Sequence, residues 1–498
     1  MNIFNKISDH TKYRLLEIIP GLLVWSTFIL AFIFTFLKPL WAIYFIIIFD
    51  LYWLVRIIYI VIYLIISYQR FRQSLKIDWL EKCQTFSKCR DIYHLIFIPT
   101  YKEGIDILKS SFNSLVKINF SLDRLIVVLA GEERDKDNFL KIAEQIQNEF
   151  NHRFFKLLVT VHPKDIPGEI GAKGSNIAWA GRRAKELIDR LKIPYENVIV
   201  SSFDADTCVH PQYFSYLTYQ YLNNPKATRT SYQPVALYNN NVWDSPAFTR
   251  VVSYSTTFWL LTELLRPERM FTFSSHSMSF KALIDVDFWQ SDIVTEDSRI
   301  CLQGLVRYDG DYRVMPMYIP LSMDVVMAKT LWQTIKAQYL QVRRWAYGVE
   351  NFPFMVWNFW GNKKIHFLTK FRYIFNQLEG VYSWATAPIL ILVLGRLPVW
   401  LANRQENVSA IARNAPHILQ WLMALAMVGI FISAILGTAL LPPRPKKYKK
   451  IKLLFMLVQW VFLPVTLIIF GSIPATEAQT RLMLGKYLGF HVTAKARK

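Results

Sequence analysis

Asn197-Val-Ile-Val-Ser-Ser-Phe-Asp-Ala-Asp206 is the stretch on which the fold turns. It opens as a short apolar run of strand length and ends in two carboxylates. Residues two apart on an extended chain point to the same side, so Asp204 and Asp206 are placed to face one ligand. Alone, Asp-x-Asp is equally an ordinary polar strand-to-loop junction. Three similar runs lie upstream, at 95–98, 124–130 and 156–161, and helical stretches at 105–118, 137–150 and 176–191 separate them. Strands alternating with helices predict a mostly parallel α/β sheet covered on both faces. In such sheets ligands sit at the carboxyl ends of the strands. Pro99-Thr-Tyr-Lys-Glu103 and Asp204–Asp206 both occupy such ends.

The rest of the chain is too apolar for an ordinary soluble protein. It has 498 residues, 53% of them hydrophobic, which leaves room for one domain and several membrane helices. Apolar runs at 20–37 and 40–66 precede the α/β region, and runs at 381–401, 418–441 and 453–474 follow it. Each approaches the roughly 20 residues that span a bilayer. No cleavable signal peptide is expected, because the first long run is followed at once by a second. Basic residues on the outer flanks of the first pair (Lys6, Lys12, Arg14; Arg70, Arg72, Lys76) predict that the N-terminus and residue 70 onward lie on the cytoplasmic side. The stretch PPRPKKYKKIK at 442–452 is the strongest inside signal. Three full crossings after residue 376 would then put the basic tail outside. The last run is read as a true span, with a hairpin broken at Pro464 as the alternative.

The boundaries expected are a membrane region at 1–69, a cytoplasmic α/β domain at 70–322, amphipathic interfacial helices at 323–376, about three membrane helices at 377–475 and a basic tail at 476–498. Asp50 and Arg56 fall inside a span, where ionisable residues are functional by default; otherwise Arg56 snorkels and Asp50 pairs within the bundle. A formal net charge of +21 suits anionic partners: a phosphorylated substrate or the surface of a lipid bilayer. Nucleic acid is not expected, because the positive clusters flank apolar segments. Cys83, Cys89, Cys208 and Cys301 have no metal-site spacing and read as reduced thiols.

Four further stretches carry candidate chemistry. In Thr295-Glu-Asp297 the acids open a helical segment; taken alone this is helix capping, with Thr295 as N-cap. A carboxylate there can also take a proton from an attacking hydroxyl, which makes Asp297, beside Glu296, the candidate base. Gly168 to Asn176 is a glycine-rich helix entry whose N–H groups and Lys173 suit phosphate. Gln341, Arg344 and Trp345 share one helical face and offer an amide, a fixed cation and an aromatic plane. Ser274-Ser-His-Ser-Met-Ser279, with His276, reads as a polar loop lining an acceptor pocket. Asn407-Val-Ser409 fits a glycosylation acceptor pattern, which is common by chance.

In order, Pro99-Thr-Tyr-Lys-Glu103, Asp204-Ala-Asp206, Thr295-Glu-Asp297 and Gln341-Val-Arg-Arg-Trp345, with spans on both sides, resemble the membrane-embedded family-2 glycosyltransferases, the group of the cellulose, hyaluronan and chitin synthases. The resemblance covers about residues 20–498. It implies a GT-A fold, Rossmann-like, flanked by transmembrane helices. It implies an inverting hexosyltransferase that moves a sugar from a nucleoside-diphosphate sugar, usually a UDP-sugar, to a growing β-linked polysaccharide, with possible export. Transfer of one sugar to a lipid acceptor is the alternative, and a non-enzymatic transporter or sensor a more distant one. It implies that Thr100, Tyr101 and Glu103 line the nucleotide pocket. Asp206 with Asp204 would place Mg²⁺ or Mn²⁺ on the diphosphate. Lys173 would sit near the phosphates, Asp297 would act as base, and Gln341, Arg344 and Trp345 would hold diphosphate and acceptor. The expected setting is a bacterial plasma membrane. Phe490-His-Val-Thr-Ala-Lys495 looks like the FxVTxK gating motif of cellulose synthases. One departure stands out. Where the family has Asp-Asp-Gly after the second strand, this chain has Ala130-Gly-Glu-Glu-Arg-Asp135, which leaves Glu132, Glu133 or Asp135 to meet the nucleobase.

Overall fold

The computed structural model describes residues 8–402 and 410–489. The FxVTxK-like tail and Asn407-Val-Ser409 lie outside the described residues. Two long helices open the chain, α1 (Asp9–Leu37) and α2 (Pro39–Ser74), joined through Lys38 alone. Ser8 caps α1 by accepting from the Thr11 N–H. Pro39 starts α2, where a missing N–H costs nothing. A short α3 (Trp79–Gln84) leads to the sheet.

β1 (Tyr93–Pro99), β2 (Leu125–Glu132), β3 (Lys156–His162) and β4 (Val198–Ser202) lie side by side as β3-β2-β1-β4, all parallel. These are the four strands read from the sequence. The connecting helices are α4 (Ile105–Leu115), α5 (Lys136–Phe150) and α6 (Lys173–Leu191). The two-residue period of each strand sorts its side chains between two cores. Leu95, Phe97, Ile126 and Val128 pack toward Ile177, Ala184 and Ile188 of α6. Ile96, Ile98, Val127 and Leu129 pack toward Leu108 and Phe112 of α4 and Phe139 and Ile146 of α5. β1, β2 and β4 are buried on both faces, as parallel strands under crossover helices must be, while β3 at the sheet edge is only partly buried.

Four more strands extend the sheet: β5 (Cys208–Val209), β6 (Thr230–Tyr238), β7 (His276–Ser279) and β8 (Arg313–Met323), giving the order β3-β2-β1-β4-β7-β6-β8-β5. β7 runs antiparallel to β4 and β6, β8 is parallel to β6, and β5 antiparallel to β8. The helices of this half are α7 (Tyr213–Leu222), α8 (Ala247–Glu263), the short α9 (Phe280–Asp285) and α10 (Glu296–Arg307). Beyond the sheet come α11 (Leu331–Ala346), α12 (Asn351–Gly361) and α13 (Phe367–Leu394). Trp332 and Trp360 stand 73% and 88% exposed, on surface that suits a lipid headgroup layer rather than water.

Among the described residues five helical stretches are long and apolar enough to cross a membrane: Asp9–Leu37, Pro39–Ser74, Phe367–Ala402, Arg413–Ala439 and Ile451–Met483. The last does not fold back at Pro464. That proline sits in the first turn of a helical piece, and the chain continues through a π turn at Ile468–Ser472 into Ile473–Met483.

Three readings are corrected here. Cys83 and Cys89 form a disulfide, so the chain does not hold four reduced thiols; Cys208 and Cys301 are not disulfide-bonded. The turn after α3 brings their Cα atoms to 6.0 Å, which a C-x5-C spacing does not reveal. His276 lies on a strand, not in a loop, and is buried, with Nδ1 3.0 Å from the Phe273 carbonyl. Within the spans it is Arg56 that pairs, with Glu379 of α13, while Asp50 Oδ1 has no hydrogen-bond partner.

Candidate active site

One cavity of about 2170 Å³ collects the motifs. Thr100, Tyr101 and Glu103 follow β1, Glu132 ends β2, and Lys173 opens α6. Asp204 and Asp206 follow β4, Glu296 and Asp297 open α10, and Gln341, Arg344 and Trp345 lie on α11; all of them line it. The cavity then runs on between the span-length helices, past Arg56, Glu379, Ser383, Trp384 and Gln420.

The two carboxylates after β4 are held differently. Asp204 is half-buried. Its Oδ1 accepts from Lys173 Nζ at 2.7 Å and its Oδ2 from Ser274 Oγ at 2.6 Å. Asp206 is 1% exposed, and its Oδ2 accepts from the Asp324 N–H at 2.7 Å. Asn240 Nδ2 holds the Asp206 carbonyl at 2.9 Å. A divalent cation that also binds substrate phosphates needs only one or two protein carboxylates. Asp204 already neutralises a cation, Lys173, on the cavity wall. Hard oxygen donors at i and i+2 therefore fit Mg²⁺ or Mn²⁺. Among the described residues no group of three or more His, Cys, Asp or Glu side chains converges on a metal position.

Burial pulls the Lys173 ammonium down, but Asp204, Glu296 and Asp297 together hold it above its ordinary value. Burial pushes Asp297 up, against the pull of Lys173 and Arg344. Burial and the neighbouring Asp297 push Glu296 up. Burial thus favours the neutral form of both adjacent acids, and Lys173 and Arg344 favour the charged form of both.

Thr295 occupies the N-cap position of α10, but its side chain makes no cap bond. Its hydroxyl donates instead to the Glu350 carboxylate. The helix start is fixed by other bonds. Thr272 Oγ1 donates to the Asp297 carbonyl at 2.5 Å, and the Ser298 N–H reaches Asp297 Oδ1 at 2.9 Å. Arg299 donates to Gln290 and Asn351, both at 2.7 Å, and to the Glu350 carbonyl at 3.0 Å. The glycine-rich entry has a packing reason as well as an electrostatic one: a Cβ at Gly174 would lie 2.8 Å from the Gln290 carbonyl oxygen and 3.0 Å from Glu296 Cβ.

After β1, Thr100 Oγ1 donates to Glu103 Oε2 at 3.0 Å, and the Tyr101 N–H donates to the same oxygen. Among the three acids after β2, Glu132 is the one that lines the cavity. It is 3% exposed and ion-paired to Arg134, whose guanidinium lies 4.6 Å from the Tyr101 ring centre. Glu133 instead accepts from the Lys164 N–H, and Asp135 from the Lys102 N–H. On α11, Trp345 meets Tyr238 at 6.4 Å between ring centres. Arg343 turns away to Glu477 at 2.6 Å, leaving Arg344 as the cation of that pair on the cavity wall.

Asp324, Glu350 and Glu477 escaped the sequence reading, whereas Ser274 of the predicted polar pocket stretch does line the cavity. Each of the three acids acts on a motif from a distant part of the chain, and nothing in its immediate sequence marks it.

Residues 199–473, more than half of the chain, match the family described as Glycosyl transferase family group 2, and the chain belongs to that family. A comparison with curated proteins finds no match. Among solved structures, similar chains include the mannosyltransferase PcManGT from Pyrobaculum calidifontis in complex with GDP-Man and Mn²⁺. It is 13% identical with a TM-score of 0.43, over 75% of this chain and 99% of that one. They also include S. aureus TarS 1-349 in complex with UDP-GlcNAc, 14% identical with a TM-score of 0.37, over 70% of this chain and 91% of that one. The protein is thus a glycosyltransferase with a mostly parallel α/β sheet and flanking helices of membrane-spanning length.

Proposed function

We propose that the protein is a membrane-bound, inverting, metal-dependent hexosyltransferase that moves a sugar from a UDP-sugar to a growing β-linked polysaccharide and feeds the product into the membrane region. The observation that carries this reading is the continuity of one cavity from Asp204, Asp206 and Asp297 to Arg56, Glu379 and Trp384 between the spans. Tryptophan planes beside paired polar groups suit sugar rings better than they suit lipid tails. In this reading the catalytic domain would face the cytoplasmic side of a bacterial plasma membrane, where sugar nucleotides are made.

In this mechanism Thr100, Tyr101 and Glu132 hold the nucleoside, and Lys173 and Arg344 flank the diphosphate. A divalent cation on Asp204 and Asp206 would neutralise the leaving group's charge. Asp297 takes the proton from the acceptor hydroxyl as its oxygen bonds to the anomeric carbon. The bond from that carbon to the phosphate oxygen breaks, and the nucleoside diphosphate departs with the electron pair. Single displacement inverts the centre, so an α-linked donor gives a β-linkage. Lys173 and Arg344 favour the charged carboxylate that Asp297 needs to accept the proton. Positive charge placed in advance in a dry site is a large term in such reactions.

The test uses protein in lipid nanodiscs, with Mg²⁺ or Mn²⁺, and a panel of labelled UDP- and GDP-sugars. A polymer ladder from one UDP-sugar, abolished by EDTA and restored by metal, is the expected outcome. One discrete addition, seen only with a lipid acceptor, would replace the polymer reading with single transfer. Undiminished transfer in EDTA would overturn the metal role.

A further inference from the structure

The basic stretch between the last two span-length helices is folded onto the sheet domain rather than left loose. Lys447 Nζ lies 2.8 Å from Asp244 Oδ1, and the Tyr448 hydroxyl donates to the same oxygen. The Tyr448 ring stacks on Trp243 at 6.2 Å, the Trp243 indole N–H reaches the Pro442 carbonyl at 3.3 Å, and Lys452 donates to the Trp243 carbonyl. These bonds employ Lys447 and Lys452. Lys446, Lys449 and Lys450 are exposed and make no ion pair among the described residues.

A second cation lies beneath this surface. Arg250, in the first turn of α8, is 6% exposed. Its guanidinium bonds only neutral oxygens, Gln459 Oε1 at 2.7 Å and the Ser245 carbonyl. Among the described residues it makes no ion pair, and a buried cation without a counter-charge is expensive. Asp244, the acid of this seam, is already taken by Lys447 and Tyr448. The seam therefore carries excess positive charge both at its surface and at its base.

Its position selects the kind of anion. The stretch joins Arg413–Ala439 to Ile451–Met483, so a chain that spans the bilayer at both must hold it at the headgroup level. Basic pockets between membrane helices at that level bind anionic lipid headgroups. We propose that the seam formed by α8 and residues 442–452 is a binding seat for the phosphate headgroup of an anionic phospholipid, with Lys446, Lys449 and Lys450 as its outer contacts and Arg250 as its inner charge. The seat connects to the catalytic cavity by a short path. The loop after β6 carries Asn240, which holds the Asp206 carbonyl, and a few residues on it carries Trp243 and Asp244, which hold the basic stretch.

The test measures lipid retention by native mass spectrometry of the full chain released from nanodiscs. The discs are made of phosphatidylcholine alone, or of phosphatidylcholine mixed with phosphatidylglycerol. The expected result is selective retention of phosphatidylglycerol. The triple variant K446Q/K449Q/K450Q, altered only at exposed positions, should retain it about a hundredfold less, from the roughly fivefold contribution of each lysine near an anionic surface. Its unfolding temperature in phosphatidylcholine should be unchanged. Equal retention of the two lipids by the wild type, or undiminished selectivity in the triple variant, would overturn the seat. Displacement of phosphatidylglycerol by millimolar inorganic phosphate would overturn it as a lipid site and make it a site for free anions. Binding is read without any sugar donor, so the result stands apart from the identity of the substrate.

Discussion

Lys173 Nζ lies 2.7 Å from Asp204 Oδ1, which joins the start of α6 to the end of β4 across the cavity. The ammonium sits beside the carboxylate expected to share a divalent cation, so it is placed to meet the same phosphates. Lys173→Met should raise the donor KM by about ten- to a hundredfold, the range for a lost bond to a charged group. Asp204 keeps its bond from Ser274 Oγ and is partly exposed, so folding should survive. Steady-state kinetics with the identified donor checks this; an unchanged KM would remove Lys173 from the phosphate site.

Asp297 should be the proton acceptor. Asp297→Asn keeps the bond from the Ser298 N–H and the carbonyl bond from Thr272, but the amide cannot take a proton. Transfer should fall by about 10²- to 10⁴-fold, with nucleotide affinity within a few-fold of wild type. Glu296→Gln, which leaves the Asp297 carboxylate in place, should lose far less. Because burial raises Asp297, kcat/KM should climb with pH through a value above the ordinary carboxylate range and then level. A flat profile there, or full activity in Asp297→Asn, assigns the base elsewhere.

The half of the sheet built from β1 to β4 was legible because its signals are local: apolar runs of strand length, amphipathic helices between them, and polar residues at the strand ends. The cavity's motif residues were legible for the same reason, since each motif carries its chemistry in a few adjacent positions. β6 was not, because Thr230-Ser-Tyr-Gln-Pro234 opens it with polar residues and a proline. Those residues are buried by contacts from β7, β8 and Tyr312, whose hydroxyl bonds Ser231 at 2.7 Å. The Cys83–Cys89 bond and the Arg56–Glu379 pair were hidden likewise. One depends on a turn, the other on two helices more than three hundred residues apart meeting in the membrane region.

Gly174 should prove indispensable for packing as well as for any phosphate contact. A methyl group there would meet the Gln290 carbonyl at 2.8 Å, a backbone atom with little freedom to move, and Glu296 Cβ at 3.0 Å. Gly174→Ala should destabilise the protein by about 1–3 kcal/mol and push α10 from α6, lowering kcat more than the stability loss explains. Gly104→Ala, where a Cβ meets nothing within 4 Å, is the control. Equal activity and stability in the two variants would dismiss the contact.

Two buried histidines set a pH limit. His94 is fully buried, with Nε2 2.8 Å from Thr218 Oγ1, and burial lowers its pKa from 6.5 to about 3. Burial likewise takes His276 to about 4. A depressed folded-state pKa means that the unfolded chain binds the proton first. Stability is therefore fully present above 6.5 and falls as pH drops toward the folded values, by about 1.4 kcal/mol per unit for each histidine. Thermal unfolding across this range should show a flatter decline in His94→Asn than in the wild type, whatever the variant's stability at neutral pH. Parallel declines would show that His94 does not contribute.

Glu477 joins the last span-length helix to the helix that carries Gln341, Arg344 and Trp345. Its carboxylate accepts from Tyr339 at 2.7 Å, Arg343 at 2.6 Å and Arg481 at 2.7 Å. By holding Arg343 outward it fixes the rotation of α11 that presents Arg344 and Trp345 to the cavity. These bonds are partly exposed, each worth about 1 kcal/mol or less, so Glu477→Gln should shift the unfolding temperature by only a few degrees. The kinetic effect should be larger in proportion. With α11 free to rotate, Arg344 meets the leaving diphosphate less often, and kcat should fall about tenfold while donor binding changes little, since positional error of about 1 Å is costly in catalysis. Arg343→Gln should reproduce the defect, and the double variant should add nothing to it, because both substitutions break the same bond. Additive losses, or a defect confined to unfolding temperature, would mean that Glu477 braces the fold without orienting the site.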